Sequence, residues 1–520
     1  MRVFSSLLFG ALLAGGCAST QIGDEAEGSS DLTTASGIQR RLVVDGTRLV
    51  DPATKESVTL RGVNLAGNAK LPPFLPFRPN ADGQLDVAAI EHHFELLGGK
   101  GFNSIRLTLY WEAYEAERGR YDETYLGRLV EVAKAASRKN LYVIVDIHQD
   151  LFSRHAGRGC GSGFPRWTVP ERYRAASPLN PGVGCGGAWP NEVVSGTVTE
   201  SFASFYRNED GVRDAYLDML ERVMARMKDV PGVLGIDPLN EPIYNIFTDV
   251  GGEGMSELGS LYRDAAERVR SVFPDATMFL EGHIWTNNGG VFINTVPGLP
   301  AIGVPVTLPK PSFGNVVYAP HVYHVDTMGS HRFDVANRDQ VFSKEFDTLE
   351  SVGRAWNAPV WIGEFGIHAD TESAPEYFDT FYARMNRMRM HGAVWNDSPH
   401  WGQDGFTDDG WNSEDLSLFD GRDQTFRSFY RGSAYVERVA GASERISDTQ
   451  DVAGGPRTLV VAATVRPEDP PGTTVIFLPK TPSSVTGSGT TCRVGTTASG
   501  GRALLCDVRH PGSYAVSITY

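Results

Sequence analysis

Two glutamates, Glu241 and Glu364, stand where side chains do chemistry. Glu241 lies in Ile236-Asp237-Pro238-Leu239-Asn240-Glu241-Pro242 and Glu364 in Val360-Trp361-Ile362-Gly363-Glu364-Phe365-Gly366. Each follows an apolar run too short for a helix, and a strand that stops on an ionisable residue delivers it to the rim of a barrel or sheet. Paired carboxylates of this kind suit cleavage of a glycosidic bond. One keeps a proton for the leaving oxygen while the other stays ionised to attack the sugar, at a separation of roughly 5 to 5.5 Å in enzymes that retain configuration. The alternative is two ordinary buried strand ends paired with arginines.

Bringing both carboxylates to one rim requires strands that end together. Short β-rich runs at 59–65, 104–109, 142–148, 233–241, 277–283, 316–324, 360–366 and 393–398 alternate with stretches such as 125–139, 211–227, 259–272 and 377–390, where apolar residues recur at helical spacing. Eight strand–helix units predict an α/β fold, a (β/α)8 TIM barrel, with a doubly wound open sheet as the alternative. Residues 41–49, with an Asp45-Gly46 turn, predict a hairpin closing the barrel's lower mouth. Beyond 438 the pattern changes to short strands between turns rich in Pro, Gly, Ser and Thr, which predicts a small C-terminal β-sandwich. The expected layout is an export signal over 1–17, a flexible tether over 18–37, the catalytic barrel over 38–438 and the sandwich over 439–520.

The chain has 520 residues, 48 of them Lys or Arg and 63 Asp or Glu, for a net charge of −15. That balance, with no basic block among aromatics, excludes nucleic acid as a partner. Arg2 and the apolar run 3–14 read as an export signal too short to span a bilayer. Leu13-Ala14-Gly15-Gly16-Cys17 resembles a bacterial lipobox, which implies lipid on Cys17 and an exported cell-envelope lipoprotein; plain secretion is the alternative. The other four cysteines fall into two local pairs, Cys160 with Cys185 and Cys492 with Cys506, that an exported protein is free to oxidise, although spacing alone leaves the connectivity open. Neither a Cys-x-x-Cys nor a His-x-x-x-His spacing occurs, so no metal or other cofactor is expected, and a monomer is.

Among the polar residues of the expected strands, Arg106 falls in the second, His148 closes the third, Asn240 and Glu241 the fourth, His321 and Tyr323 the sixth and Glu364 the seventh, and Trp395 lies on the eighth. In this order they resemble the active-site set of glycoside hydrolase family 5. On that reading Glu241 is the general acid/base, its pKa raised by the like charge of a neighbouring carboxylate. Glu364 is the nucleophile, kept ionised by Arg106 and hydrogen-bonded by Tyr323. Asn240 is placed to hold the sugar 2-hydroxyl, His148 and His321 to bond hydroxyls or orient the acid, and Trp395 to offer a flat face to the ring.

A narrower resemblance joins Arg61-Gly62-Val63-Asn64, Asn68-Ala69-Lys70 and Asp146-Ile147-His148-Gln149-Asp150 to the two glutamate motifs and the terminal β-domain. Together they are similar to the endoglycosylceramidase branch of the family. This implies that Lys70 and Asp150 bind the first sugars and that the cut falls between glycan and ceramide in a glycosphingolipid. The loop Leu71-Pro72-Pro73-Phe74-Leu75-Pro76-Phe77 supplies an apolar rim for the lipid and a contact with the membrane surface, extended by Ile243, Ile246 and Phe247; packing under neighbouring loops is the alternative. The insertion 152–205 is expected to cap the cleft, and the acidic loop from Asp404 to Trp411, lacking calcium-loop spacing, to be solvated, with sugar recognition or calcium binding as the alternatives. Competing functions are a β-glucosidase acting on glucosylceramide or steryl glucoside, an endo-β-glucanase, and a non-catalytic glycan-binding lipoprotein.

Overall fold

The computed structural model describes residues 37–175, 192–244, 253–284, 308–324, 327–328, 330–403, 405, 407–411, 413–450 and 455–520. The described chain enters through β1 (Val43–Asp45), β2 (Arg48–Val50) and β3 (Ser57–Val58). Val43 pairs with Val50 across the expected hairpin, and Gly46 takes the positive φ of 57° that its turn requires.

Eight parallel strands follow: β4 (Arg61–Leu65), β5 (Ser104–Leu109), β6 (Tyr142–Ile147), β7 (Val233–Asp237), β8 (Thr277–Leu280), β9 (Val316–Tyr318), β10 (Trp361–Phe365) and β11 (His391–Asp397). They hydrogen-bond in the order β10-β11-β4-β5-β6-β7-β8-β9. Backbone bonds close the ring between β9 and β10: Gly363 N–H donates to Pro320 O at 2.8 Å and Val322 N–H to Glu364 O at 2.8 Å. This is the expected TIM barrel.

Alternation along each strand assigns the faces. On β5, Ile105, Leu107 and Leu109 join the large core beneath the helices, while Arg106 reaches carboxylates on other strands inside the barrel. The outer ring is built by amphipathic helices such as Glu123–Arg138, whose N-terminal N–H groups at Thr124 and Tyr125 are accepted by the Asp122 side chain. That helix turns Leu126, Leu129, Val132 and Ala136 toward the barrel, each large apolar side chain contributing about 1.5–3 kcal/mol on full burial.

The lower end of the barrel is apolar. Ile144, Leu234, Phe279, Val317, Trp361 and Ala393 form one cluster with Leu42 and Leu49, so the hairpin does plug the mouth. After a short ribbon, β12 (Phe419–Asp420) with β13 (Thr425–Phe426), the chain makes two antiparallel sheets. One joins β1-β2-β3 to β14 (Tyr435–Val439), β17 (Gly472–Phe477), β20 (Arg502–Val508) and β19 (Thr491–Thr496). The other orders β15 (Ala442–Gln450), β16 (Arg457–Val465), β21 (Gly512–Thr519) and β18 (Ser484–Ser488). The sandwich sheet therefore continues into the strands that plug the barrel. Cys492 and Cys506 sit opposite each other on β19 and β20 and form a disulfide. Cys160 is also disulfide-bonded, whereas its expected partner Cys185, like Cys17, lies outside the described residues.

Candidate active site

Glu364 faces the barrel interior because of a bulge. Ile362 pairs with Gly392 and Phe365 with Val394, so β10 carries one more residue than β11 between these pairs, and the alternation resets at Gly363-Glu364. A Cβ on Gly363 would lie 2.9 Å from the His321 ring, and one on Gly366 2.4 Å from Trp395 O, which explains both glycines of the motif. Arg106 Nη1 donates to Glu364 Oε1 at 2.9 Å and Tyr323 O–H donates to Oε2 at 2.9 Å. Burial raises the Glu364 carboxyl above its ordinary value, and the Arg106 charge opposes that rise. Arg106 is itself fully buried, donates to Asn64 Oδ1, Asp237 Oδ2 and Asn240 Oδ1 at 2.7–3.0 Å, and forms an ion pair with Asp146 Oδ1 at 2.9 Å.

Glu241 occupies a left-handed backbone conformation, φ 42°, just past the end of β7. Gln149 Nε2 donates to Asn240 O at 2.7 Å and Glu241 O at 2.9 Å, while Glu281 Oε1 accepts the Glu241 N–H at 2.6 Å. Its Oε1 lies 2.9 Å from His321 Nδ1, and carboxylate oxygens of Glu241 and Glu364 lie within 4.8 Å of each other. Burial raises Glu241 to about 8, assisted by Asp150 and Glu414 and opposed by Lys70 and His148. The direction is the expected one, but desolvation leads rather than like-charge repulsion. Burial also lowers His321 to about 4, leaving a neutral ring beside the acid.

A second charged group lines the other wall. Lys70 Nζ lies 3.2 Å from Asp150 and 3.7 Å from Glu414, over the rings of Trp395 at 4.7 Å and Trp411 at 4.2 Å. His148 Nδ1 lies 2.7 Å from Asp146 Oδ2, and its ring stacks on Trp395 at 5.2 Å. Although burial works against it, Asp146 and Asp150 hold His148 at about 9 and therefore charged at neutral pH. Trp395 is 2% exposed, so its face meets His148 and Lys70 in the free protein. Asn240 directs Oδ1 to Arg106 and one Nδ2 hydrogen to Gln149 O, leaving one N–H uncommitted by these bonds.

All ten expected catalytic and substrate-binding residues thus meet at one face. Two expectations about their surroundings are corrected. The apolar rim is packed inward: Leu71, Phe74, Leu75 and Phe77 are buried, Phe74 beside Tyr110 and Phe77 edge-on to Phe94, because a loop this apolar gains more from the core than from water. Only Pro72 and Pro73 of it are exposed; Ile243 is buried, and Ile246 and Phe247 lie outside the described residues. The acidic loop is solvated at Gly405 and Thr407, with Asp404 and Phe406 outside the described residues, but Asp409, Gly410 and Trp411 are buried. Trp411 Nε1 donates to Cys160 O at 2.8 Å and so ties this loop to the insertion. The reading of strand ends overlooked Glu281, Asp237, Trp411 and Glu414. Asp237 is the second residue of a quoted motif, Glu281 lies within the expected strand 277–283 and Trp411 ends the acidic loop; Glu414 carries no local pattern.

Residues 86–400 match the cellulase family, glycosyl hydrolase family 5. The chain is 29% identical over 272 residues to an endoglycoceramidase of Cyanea nozakii, covering 48% of this chain and 52% of that protein. It is 27% identical over 381 residues to endoglycoceramidase I of Rhodococcus hoagii (strain 103S), covering 71% and 69%. The chain thus spans about half the length of the first of these relatives and about two thirds of the second. The structure superposes on endo-glycoceramidase II from Rhodococcus sp. in complex with ganglioside GM3 with a TM-score of 0.66 at 21% identity, over 91% of this chain and 99% of that one.

Proposed function

The chain belongs to glycosyl hydrolase family 5, and from that premise we propose that it is a retaining endo-β-glycosidase that releases intact oligosaccharide from the ceramide of glycosphingolipids. The observation that carries the retaining reaction is the closeness of Glu241 and Glu364, within 4.8 Å oxygen to oxygen, with only Glu364 held by a guanidinium and a phenol. In the first step an oxygen of Glu364 bonds the anomeric carbon as the bond to the leaving oxygen breaks. Glu241, still protonated at neutral pH, gives that oxygen its proton. In the second, Glu241 takes a proton from water, whose oxygen displaces Glu364 and restores both carboxyl groups. Arg106 stabilises the carboxylate at the start and end of the cycle.

The substrate reading rests on the polar wall of Lys70, Asp150 and His148 on the glycan side and on the relatives named endoglycoceramidase. Incubation with ganglioside GM3, glucosylceramide and soluble cellulose tests it. Free ceramide together with intact oligosaccharide from the ganglioside is the expected result; turnover of cellulose alone overturns the lipid assignment, and turnover of glucosylceramide alone makes the protein a β-glucosidase. For the acid, Glu241→Gln keeps the first step on aryl glycosides with good leaving groups and loses about 10²–10⁴-fold on the natural substrate. Equal losses on both contradict that role. Lipidation at Cys17 would hold the monomeric enzyme at the membrane that contains its substrate, and Cys17→Ser then shifts it to the soluble fraction.

A further inference from the structure

Glu281 follows β8 directly and was not singled out by any motif, yet it is completely buried beside the acid. Its strand shares one face between Phe279, in the apolar plug, and Glu281, which points into the site. Oε1 accepts the Glu241 N–H at 2.6 Å, and Oε2 lies 3.7 Å behind His321 Nε2, whose Nδ1 faces the Glu241 carboxyl at 2.9 Å. The Glu281 carbonyl in turn accepts the Tyr262 hydroxyl at 2.9 Å, which anchors it to the helix Glu253–Val272.

The neighbouring residues extend the grip. Ile284 N–H donates to Pro242 O at 3.0 Å, and Tyr244 N–H donates to His283 Nε2. The segment after β8 therefore holds the acid's segment at three successive points, while Gln149 holds it from the other side through two carbonyls. Such fixation matters at Glu241, because a non-glycine residue at φ 42° persists only when its surroundings impose that conformation. Proline at 242 removes a further donor that could have helped.

We propose that Glu281 is a positioning residue for the acid/base: its carboxyl holds the Glu241 backbone and backs the His321 ring, and so aims the Glu241 carboxyl at the leaving oxygen. This rests on the retaining reaction proposed above but not on ceramide as the leaving group. The two are separated by using aryl β-lactosides. Turnover of 2,4-dinitrophenyl and phenyl β-lactoside by the parent enzyme, with retention of configuration, checks the reaction itself.

The variants then test Glu281. In the first step, read by kcat/KM, a mis-aimed acid hurts only substrates that need protonation, so Glu281→Ala is expected to lose about 10²-fold in kcat/KM on phenyl lactoside, the scale of a displacement near 1 Å. On dinitrophenyl lactoside kcat/KM should change little, while kcat and KM fall together as the glycosyl-enzyme accumulates, because the second step still needs Glu241 as base. Glu281→Gln retains an acceptor oxygen and recovers most of the loss. Where Glu281→Ala does not fold, Glu281→Met keeps the volume without the acceptor and takes its place. Equal losses in kcat/KM on both lactosides, or no loss with either non-acceptor variant, overturn the proposal; a purely structural role lowers Tm and leaves the dependence of kcat/KM on leaving group unchanged.

Discussion

The two ends of the barrel are built from the same eight strands and hold opposite contents. At the lower end the inward residues are Ile144, Leu234, Phe279, Val317 and Trp361, sealed by Leu42 and Leu49. At the upper end the same strands bury Arg106, Asp146, Asp237, His321 and Glu364. The lower end is satisfied by contact alone, whatever the angle of each ring. The upper end must match every charge, since an uncompensated buried ion costs several kcal/mol. Stability is therefore tolerant below and exacting above, where one guanidinium meets three carboxylates.

Substitutions at each end sharpen that contrast. Glu364→Gln should lower kcat by at least about 10⁴-fold at every pH while Tm stays near the parent's, measured by hydrolysis and thermal scanning; substantial residual turnover would remove Glu364 as nucleophile. Arg106→Met leaves Asp146, Asp237 and Glu364 without their cation and should cost about 3–5 kcal/mol in denaturant titration, with activity lost as well. Leu49→Ala should cost about 2–5 kcal/mol by the same titration but leave kcat and KM unchanged below the transition. An activity change there would show that the two ends are not independent.

A pH-dependent effect follows from the raised pKa of Glu241. The native protein keeps a proton that the unfolded chain releases, between the ordinary 4.5 and about 8. Stability from this group is complete below about 4.5 and is lost as pH rises through about 8. Glu241→Gln has no charge to desolvate, so its Tm relative to the parent should be higher at pH 9 than at pH 5. A difference that does not vary with pH would contradict the raised value.

How much could be read in advance depended on whether a residue's role was local. Glu241, Glu364 and His148 were legible because a strand end is a short-range signal and the barrel converts it into a position on the rim, and Arg106, inside its strand, through the family resemblance. The Asp45-Gly46 hairpin was legible for the same reason, through its turn. Trp411 was not, since nothing nearby announces that a tryptophan in an acidic loop will lie on Lys70 and bond Cys160 O. The loop at Leu71–Phe77 stayed open between a lipid-facing rim and inward packing because composition records its greasiness but not which way it faces. Glu281 lies within the expected strand 277–283, yet its partner is a backbone N–H forty residues away.

The amino-acid sequence by itself determined the barrel, the two carboxylates and their order along the chain, because periodicity and strand ends are local and each strand repeats the same rule. The family resemblance already gave Glu241 the proton, and only the tertiary structure shows the physical cause, burial. Both glutamates are buried, but the bulge at Gly363-Glu364 turns one onto Arg106 and Tyr323, while Gln149 and Glu281 hold the other beside a neutral His321. Proton affinity depends on what charge and which donors lie within a few ångströms, and those neighbours come from strands far apart in the chain.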